Sequence, residues 1–141
     1  MIACDIGGVM RNMINDEPID GSIEGIKKIA SLYKVIFISK CKDSYKEKMT
    51  QWLKKYDLHN IPIYFCESYG EKNKIALDND VQFMIDDKIA VLQSMSPTIK
   101  KIWFCNDKQK LDGTKKFNPS LFNSLIVISS WNELILFITN L

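Results

Sequence analysis

Alternating strand and helix patterns predict an α/β domain with a mainly parallel sheet flanked by helices. Short apolar runs such as Val35-Ile36-Phe37-Ile38 lack polar alternation, as in strands that are covered on both faces. Segments with helical spacing separate these runs, and right-handed crossovers then place helices on both sides of the sheet. The 141 residues fit a single Rossmann-like domain, 1–141, with a sizeable core.

The elements follow in order along the chain. Strands are predicted at Ile2–Asp5, Val35–Ser39, Ile63–Cys66, Gln82–Asp86, Ile102–Cys105 and Leu125–Ser129. Helices are predicted at Ser22–Tyr33, from Asp43 or Ser44 to Tyr56, and at Lys72–Leu77, Ala90–Met95 and Asn132–Thr139. Asp20 or Ser22 is the expected cap of the first helix, and Asp43 or Ser44 that of the second. The lysine-rich stretch from Asn106 to about Pro119 is predicted to be a loop.

Composition and charge indicate the broad class of protein. Hydrophobic residues make up 46% and charged residues 26%, and the net charge is +2. A charge this small does not indicate a nucleic-acid partner, and no apolar run approaches the roughly 20 residues of a membrane span. No basic segment precedes the first apolar run, so we expect a cytoplasmic protein without a signal peptide.

The aromatic and cysteine residues are expected to be mainly structural. Trp103, Phe104 and Trp131 fit a core better than a stacking surface. The four cysteines form no CxxC pair, which favours reduced, buried thiols over a zinc site. Cys41, two positions after Ser39, remains a candidate neighbour of a functional site.

Polar side chains follow three of the predicted strands. Asp5 ends the first strand, Ser39 the second, and the pair Asp86-Asp87 the fourth. Lys72 opens a helical stretch between them. Because functional groups of a parallel sheet gather at the carboxyl ends of its strands, these side chains are expected to meet at one edge. A carboxylate, a hydroxyl, an amine and paired carboxylates suit phosphoryl chemistry with a metal ion.

The order of these residues resembles the haloacid dehalogenase (HAD) superfamily of phosphatases. The first motif of that family is a strand followed by DxDx and Thr or Val, and Asp5-Ile6-Gly7-Gly8-Val9 matches it at Asp5 and Val9. Ser39 matches the second motif and Lys72 the third. The run Met84-Ile85-Asp86-Asp87 matches the fourth, so that the resemblance spans most of the chain.

The resemblance implies a magnesium-dependent phosphohydrolase that works through an aspartyl-phosphate intermediate. Asp5 is then the nucleophile and also a ligand of Mg²⁺, together with the carbonyl oxygen of Gly7. Asp86 is the expected direct metal ligand, and Asp87 binds the ion directly or through water. Oxygen ligands with open water positions suit this ion.

The phosphoryl group is expected to contact a second set of residues. The Ser39 hydroxyl and the Lys40 amide would hold a phosphoryl oxygen, and the Gly8 backbone is flexible enough to approach it. Lys72 would neutralise phosphoryl charge in the transition state. Lys74 is the alternative for that role, but Lys72 lies fourteen positions before Asp86, a separation similar to that in small family members.

One departure from the family pattern concerns proton transfer. The second aspartate of the first motif, usually the general acid/base, is Gly7 here. A good leaving group would still react, or Asp16 or Glu17 would fold back as a substitute. The alternative function is a degenerate domain that binds phosphate or a protein partner without turnover.

The connections between motifs leave no room for a cap domain. Residues 10–34 and 40–71 hold little beyond the helices and strand that the core itself needs. We therefore expect an open site, covered either by a macromolecular phosphorylated substrate or by a neighbouring subunit of a homo-oligomer. A small phosphorylated molecule with a good leaving group remains the other substrate class.

Overall fold

Six parallel strands form one sheet in the computed structural model, which describes residues 1–141. Their order across the sheet is β3-β2-β1-β4-β5-β6. The strands are β1 (Ile2–Cys4), β2 (Val35–Lys40), β3 (Ile63–Cys66), β4 (Phe83–Asp86), β5 (Lys100–Phe104) and β6 (Leu125–Ile128). The predicted α/β class with a parallel sheet is therefore confirmed, and the strand boundaries differ from those predicted by at most two residues.

The strand order changes direction at β1, and this change positions the site. The chain builds outward from β1 through β2 to β3, and then returns to the other side of β1 with β4. Ligands of open α/β sheets bind at such a switch point, outside the carboxyl ends of the strands. Cys4 pairs in register with Ile85, so the next residues, Asp5 and Asp86, leave the sheet side by side.

Seven helices cover the two faces of the sheet. On one face, α1 (Ser22–Leu32), α2 (Asp43–Lys55) and α7 (Trp131–Thr139) pack over one core cluster, and the opposite cluster contains residues of α3 (Tyr69–Asp78) and α4 (Ile89–Ser94). The remaining helices are α5 (Lys108–Phe117) and α6 (Pro119–Ser124). Cys4 packs in the first cluster and its neighbour Ala3 in the second, because successive strand residues point to opposite faces.

The predicted loop from Asn106 to Pro119 is wrong, because this stretch contains α5. The Asp107 side chain caps the helix by accepting hydrogen bonds from the amides of Gln109 and Lys110. No residue of α5 is fully buried. The helix therefore lacks the apolar stripe on which the prediction of helices depended, and its local cap was the only strong signal.

The predicted caps of the first two helices are also wrong. Gly21 with φ +77° precedes α1, and Lys42 precedes α2; neither helix has a side-chain cap hydrogen bond. The Ser22 hydroxyl instead donates to the carbonyl oxygen of Met10, 2.9 Å away, and so ties the loop after β1 to the start of α1.

No separate folded unit is inserted between the elements of the sheet. The loop from residue 5 to 21 returns directly to α1, and residues 41–62 hold α2 and the connection to β3. The longest helix has 13 residues, and none combines the length and the apolar character needed to cross a bilayer.

Trp131 fixes the packing of α7 against α1. The indole is buried, and its Nε1 donates to the carbonyl oxygen of Val9 at 2.9 Å. Its ring lies so close to Gly25 of α1 that a Cβ there would stand 2.5 Å from the Trp131 Cε3 atom. Trp103 and Phe104 are buried as well, so the prediction that these aromatic residues belong to the core is confirmed.

This close approach predicts opposite effects of alanine at two helical glycines. Gly25→Ala forces the α1–α7 contact apart, and we expect a loss of about 1–3 kcal/mol in the free energy of unfolding. Gly113→Ala is the matched control, because a Cβ there meets nothing within 4 Å and removes only the flexibility of a helical glycine. The control should gain roughly 0.5–1 kcal/mol. Urea denaturation measures both changes, and equal effects of the two substitutions would contradict the packing described.

Candidate active site

A cavity of about 800 Å³ opens at the carboxyl edge of the sheet. Asp5 from β1 and Ser39 from β2 line it, and Lys72 from α3 reaches it from the side. Asp87, directly after β4, completes the group of predicted residues on its wall. The structure thus brings together side chains that lie up to 82 positions apart in the sequence.

Lys72 joins the Asp5 carboxylate, which lines this cavity, to the fully buried carboxylate of Asp86. Its Nζ atom lies 3.0 Å from Asp5 Oδ1 and 3.0 Å from Asp86 Oδ2. All three residues are buried, with exposed fractions of 1% for Lys72, 8% for Asp5 and 0% for Asp86. The other Asp86 oxygen accepts a hydrogen bond from the amide of Lys88 at 3.0 Å. This second bond orients the Asp86 carboxylate.

The start of α3 aims Lys72 at the strand ends. The Ser68 hydroxyl caps this helix by accepting from the amide of Glu71, and Lys72 lies in the first turn after the cap. Lys74 points away from the cavity, because its ammonium is exposed and pairs with Asp78 at 2.9 Å. Of the two candidate lysines, Lys72 is the one that contacts Asp5.

The buried charges shift the pKa values of the site. Burial, and then the neighbouring Asp86 carboxylate, raise the pKa of Asp5 from 3.8 to about 7, although Lys72 acts in the opposite direction. Burial and Asp86 also raise the pKa of Asp87 to about 6. For Lys72, burial alone would lower the pKa, but Asp5 and Asp86 outweigh it and hold the pKa above its usual range. The site therefore has an excess of negative charge.

The three carboxylates fit a divalent cation. One oxygen each of Asp5, Asp86 and Asp87 lie within 4.8 Å of one another. The Asp87 Oδ1 atom is buried and has no hydrogen-bond partner, which is costly unless a cation or a proton meets it. Magnesium prefers such hard carboxylate oxygens and keeps several of its waters, which the open cavity admits.

Gly8 makes room for the Asp87 side chain. The Gly8 amide donates to the carbonyl oxygen of Arg11 at 2.9 Å, and the phosphate contact of this residue stays a prediction. Gly8 has φ +83°, and a Cβ there would stand only 2.1 Å from Asp87 Oδ2. Both the backbone angle and the close carboxylate require glycine.

Ser39 and Lys40 present polar groups at the end of β2. Ser39 is buried on the cavity wall. The amides of Phe37 and Cys41 donate to carbonyl oxygens on the β3 side, at Pro62 and Cys66. Because backbone amides of a strand alternate in direction, the Lys40 amide points to the opposite side, toward β1 and the cavity. The Lys40 ammonium lies 5.1 Å from the centre of the Tyr69 ring.

Neither candidate substitute for the missing acid is suited to donate a proton. Asp16 lines the cavity, but a hydrogen bond from Lys48 and the charge of Arg11 lower the pKa of its carboxyl, although burial acts in the opposite direction. A carboxyl held in the ionised form has no proton to give. Glu17 is exposed and does not line the cavity.

Two further residues line the cavity, and the sequence indicated Cys41 as a candidate neighbour of the site but not Arg11. Arg11 lines the cavity and is buried, and the sequence analysis missed it. Its only signal was an arginine two positions after the apolar Val9 that ends the first motif. Cys41 lines the cavity, and all four cysteines are free thiols.

Comparison with known proteins identifies the fold. No family model matches the sequence, and no curated protein matches it. The chain is similar in structure to D,D-heptose 1,7-bisphosphate phosphatase from Burkholderia thailandensis, with a TM-score of 0.71 and 15% identity, covering 99% of this chain and 98% of that one. It is also similar to a protein described as a haloacid dehalogenase-like hydrolase from Burkholderia xenovorans, with a TM-score of 0.63 and 9% identity. That match covers 88% of this chain and 59% of the other.

The chain therefore has the haloacid dehalogenase-like fold. The resemblance that the four sequence motifs predicted is confirmed at the level of the fold. The near-complete mutual coverage with the heptose bisphosphate phosphatase agrees with the lack of an inserted unit in this chain.

The contacts of Lys72 and Lys74 predict different effects on stability. In metal-free protein at pH 8, Lys72→Met leaves two buried carboxylates without their cation, and we expect a loss of about 3–5 kcal/mol in the free energy of unfolding. Lys74→Met removes an equal charge from an exposed pair and should change stability very little. Urea denaturation measures both, and comparable losses in the two variants would contradict the burial of Lys72 between carboxylates.

The raised pKa values of Asp5 and Asp87 predict how the effect of magnesium on stability depends on pH. Asp5 and Asp87 ionise in the unfolded chain near 3.8 but in the folded chain only near 7 and 6. Their contribution therefore favours the metal-free fold at low pH and is lost as the pH rises through the folded pKa values. Magnesium binds the ionised form, so the increase in melting temperature that it causes should grow from pH 5 to pH 8.

The control for this experiment is a pair of asparagine variants. Asp86→Asn should abolish the magnesium-dependent increase in melting temperature, whereas Asp112→Asn, on the exposed surface of α5, should keep it. A magnesium effect that is independent of pH, or that survives in Asp86→Asn, would remove these carboxylates from the metal site.

Proposed function

We propose that this protein is a magnesium-dependent phosphohydrolase that forms an aspartyl-phosphate on Asp5. The observation that supports this most strongly is the Asp5 carboxylate at the floor of an open cavity, 3.0 Å from the buried Lys72 ammonium. A carboxylate nucleophile beside a fixed cation is the arrangement that phosphoryl transfer requires. The haloacid dehalogenase-like fold, shared with a phosphatase, agrees with this chemistry.

Each residue has a defined part in the reaction. Asp5 attacks phosphorus in line with the departing oxygen, and Lys72 offsets the negative charge on the transferring group. The Ser39 hydroxyl and the Lys40 amide hold a phosphoryl oxygen. Asp5, Asp86, Asp87 and the Gly7 carbonyl oxygen would hold Mg²⁺, which when bound supplies positive charge to the phosphoryl oxygens. Water then releases phosphate from Asp5.

The leaving group limits the range of substrates. Gly7 offers no side chain to protonate the departing oxygen, and such protonation is typically worth roughly 10²–10⁴ in rate. Phosphoanhydrides, acyl phosphates and aryl phosphates need it least, since their leaving groups are stable as anions. We therefore propose these classes rather than alkyl phosphates.

The open cavity is relevant to the size of the substrate and to what covers the site during the reaction. The similar bisphosphate phosphatase is named for a small phosphorylated sugar, which supports a small-molecule substrate for a chain of this size. A macromolecular substrate, or a second subunit, would cover the cavity in the alternative arrangement.

We place the reaction in the cytoplasm, where the free thiols are stable.

A second candidate function is phosphate binding without turnover. The feature that favours it is Gly7 itself, together with the Met13 sulfur, which occupies the space beside this glycine. A domain with this arrangement would keep the metal and phosphate contacts but lack proton transfer.

Turnover of activated phosphates distinguishes the two functions. With magnesium, p-nitrophenyl phosphate and acetyl phosphate should be hydrolysed, and Asp5→Asn should abolish both activities because an amide is not a competent nucleophile. Asp112→Asn, on the exposed surface of α5, is the matched control. Release of inorganic phosphate measures the rate. Calorimetry that detects magnesium-dependent phosphate binding, without hydrolysis of either compound, would replace the enzyme by the binding function.

A further inference from the structure

Arg11 lies beside the glycine that replaces the family's acid. The loop after β1 turns back so that the carbonyl oxygen of Arg11 accepts a hydrogen bond from the Gly8 amide at 2.9 Å, and Gly7 and Arg11 form a short β-bridge. The Arg11 side chain is only 9% exposed and lines the same cavity as Asp5. This arginine is therefore part of the cavity wall.

The guanidinium group of Arg11 is poorly satisfied for a buried cation. One terminal nitrogen, Nη1, pairs with the Asp16 carboxylate. The other, Nη2, has the Met13 sulfur at 3.5 Å as its partner, and a thioether is a weak acceptor. The buried Nε has no partner. Because unmet donors on a buried charge are costly, this arrangement favours an additional anion at the Nη2 side.

Met13 occupies the space between Arg11 and Gly7. A Cβ on Gly7 would stand 2.6 Å from the Met13 Sδ atom, which is the atom that Nη2 of Arg11 contacts. The free side of the guanidinium therefore points at the region into which an acid at position 7 would project. Met13 is 64% exposed, and its flexible side chain is easily displaced by a ligand.

We propose that Arg11 binds the leaving group of the substrate and replaces the missing acid by electrostatic stabilisation. This inference rests on the proposed phosphohydrolase function. Arginine does not give up a proton in proteins, so it stabilises a departing oxygen only as an anion. The preferred substrates are therefore phosphoanhydrides and acyl phosphates, whose leaving groups are a phosphate and a carboxylate.

The two steps balance without a proton donor. In the first, a bond forms between an Asp5 oxygen and phosphorus, and the bond to the leaving oxygen breaks. That oxygen keeps the electron pair, and its negative charge lies against the Arg11 guanidinium. In the second, water attacks phosphorus and the Asp5 oxygen departs as carboxylate. Both hydrogens of the water remain on the released phosphate, as H₂PO₄⁻.

Asp16 and Lys48 hold this arginine without cancelling its charge. Asp16 contacts Arg11, and Lys48 lies 3.1 Å from the other Asp16 oxygen. The indole Nε1 of Trp52 donates to the backbone oxygen of Asp16 at 2.7 Å and anchors the loop to α2. One carboxylate between two cations leaves this group with a net positive charge. Asp16 is thus a positioning residue for Arg11.

The dependence of rate on the leaving group tests this inference. Magnesium-dependent hydrolysis of a series of substituted phenyl phosphates, with acetyl phosphate, is measured for the wild type, Arg11→Met and Arg11→Lys. Arg11→Met should slow the poorest leaving group by roughly 10²–10³, the loss expected for one oxyanion donor, and the best by much less. The plot of log rate against leaving-group acidity then becomes steeper. The rates of Arg11→Lys should fall between those of the wild type and Arg11→Met. Added guanidinium should partly restore the rate of Arg11→Met with poor leaving groups.

Lys74→Met is the matched control, because it removes an equal charge from an exposed pair with Asp78 and does not line the cavity. It should keep the wild-type slope. An equal slowing of every substrate by Arg11→Met, with no change of slope and no rescue, would overturn the leaving-group role while the phosphohydrolase function stands. If the wild type hydrolyses none of these compounds, the proposed function fails and this inference fails with it.

Discussion

The Lys72 ammonium, held between the carboxylates of Asp5 and Asp86, determines how the rest of the site is arranged. It links α3 to the ends of β1 and β4 by two contacts of 3.0 Å, with all three side chains buried. Ions are costly to bury, and only close, well-directed partners offset that cost. With Asp87, however, three carboxylates face one ammonium, so the ionised site has two negative charges in excess. The raised pKa values of Asp5 and Asp87 express the same imbalance, which a divalent cation would remove.

Much of this arrangement could be predicted because it depends on strands. Strand ends are visible in the sequence as apolar runs, and a parallel sheet brings them to one edge, so Asp5, Ser39 and Asp86 were expected to meet. Cys4 pairs in register with Ile85, which places the next residues, Asp5 and Asp86, side by side. The sequence distinguishes Lys72 from Lys74 less clearly, because the difference depends on which face of α3 packs against the sheet.

The remaining features depend on chain paths that no periodic pattern encodes. Arg11 reaches the cavity only because the loop after β1 folds back on Gly8, through backbone contacts that any residue makes. The Gly8 amide is used in that turn, which the sequence did not indicate. Helix α5 was missed because it buries none of its residues fully and so shows no apolar stripe. The helix caps were misassigned because Gly21 and Lys42 precede their helices without a side-chain hydrogen bond.

A crystal structure with magnesium and beryllium fluoride, which mimics a phosphoryl group, tests the central claim most directly. Beryllium should be bonded to an Asp5 carboxylate oxygen, with Lys72 and Ser39 on the fluorides. The metal should lie on Asp5, on the Gly7 carbonyl oxygen and on the Asp86-Asp87 pair. Beryllium fluoride bound away from Asp5, or a metal that leaves these carboxylates untouched, would contradict an aspartyl-phosphate mechanism for this protein.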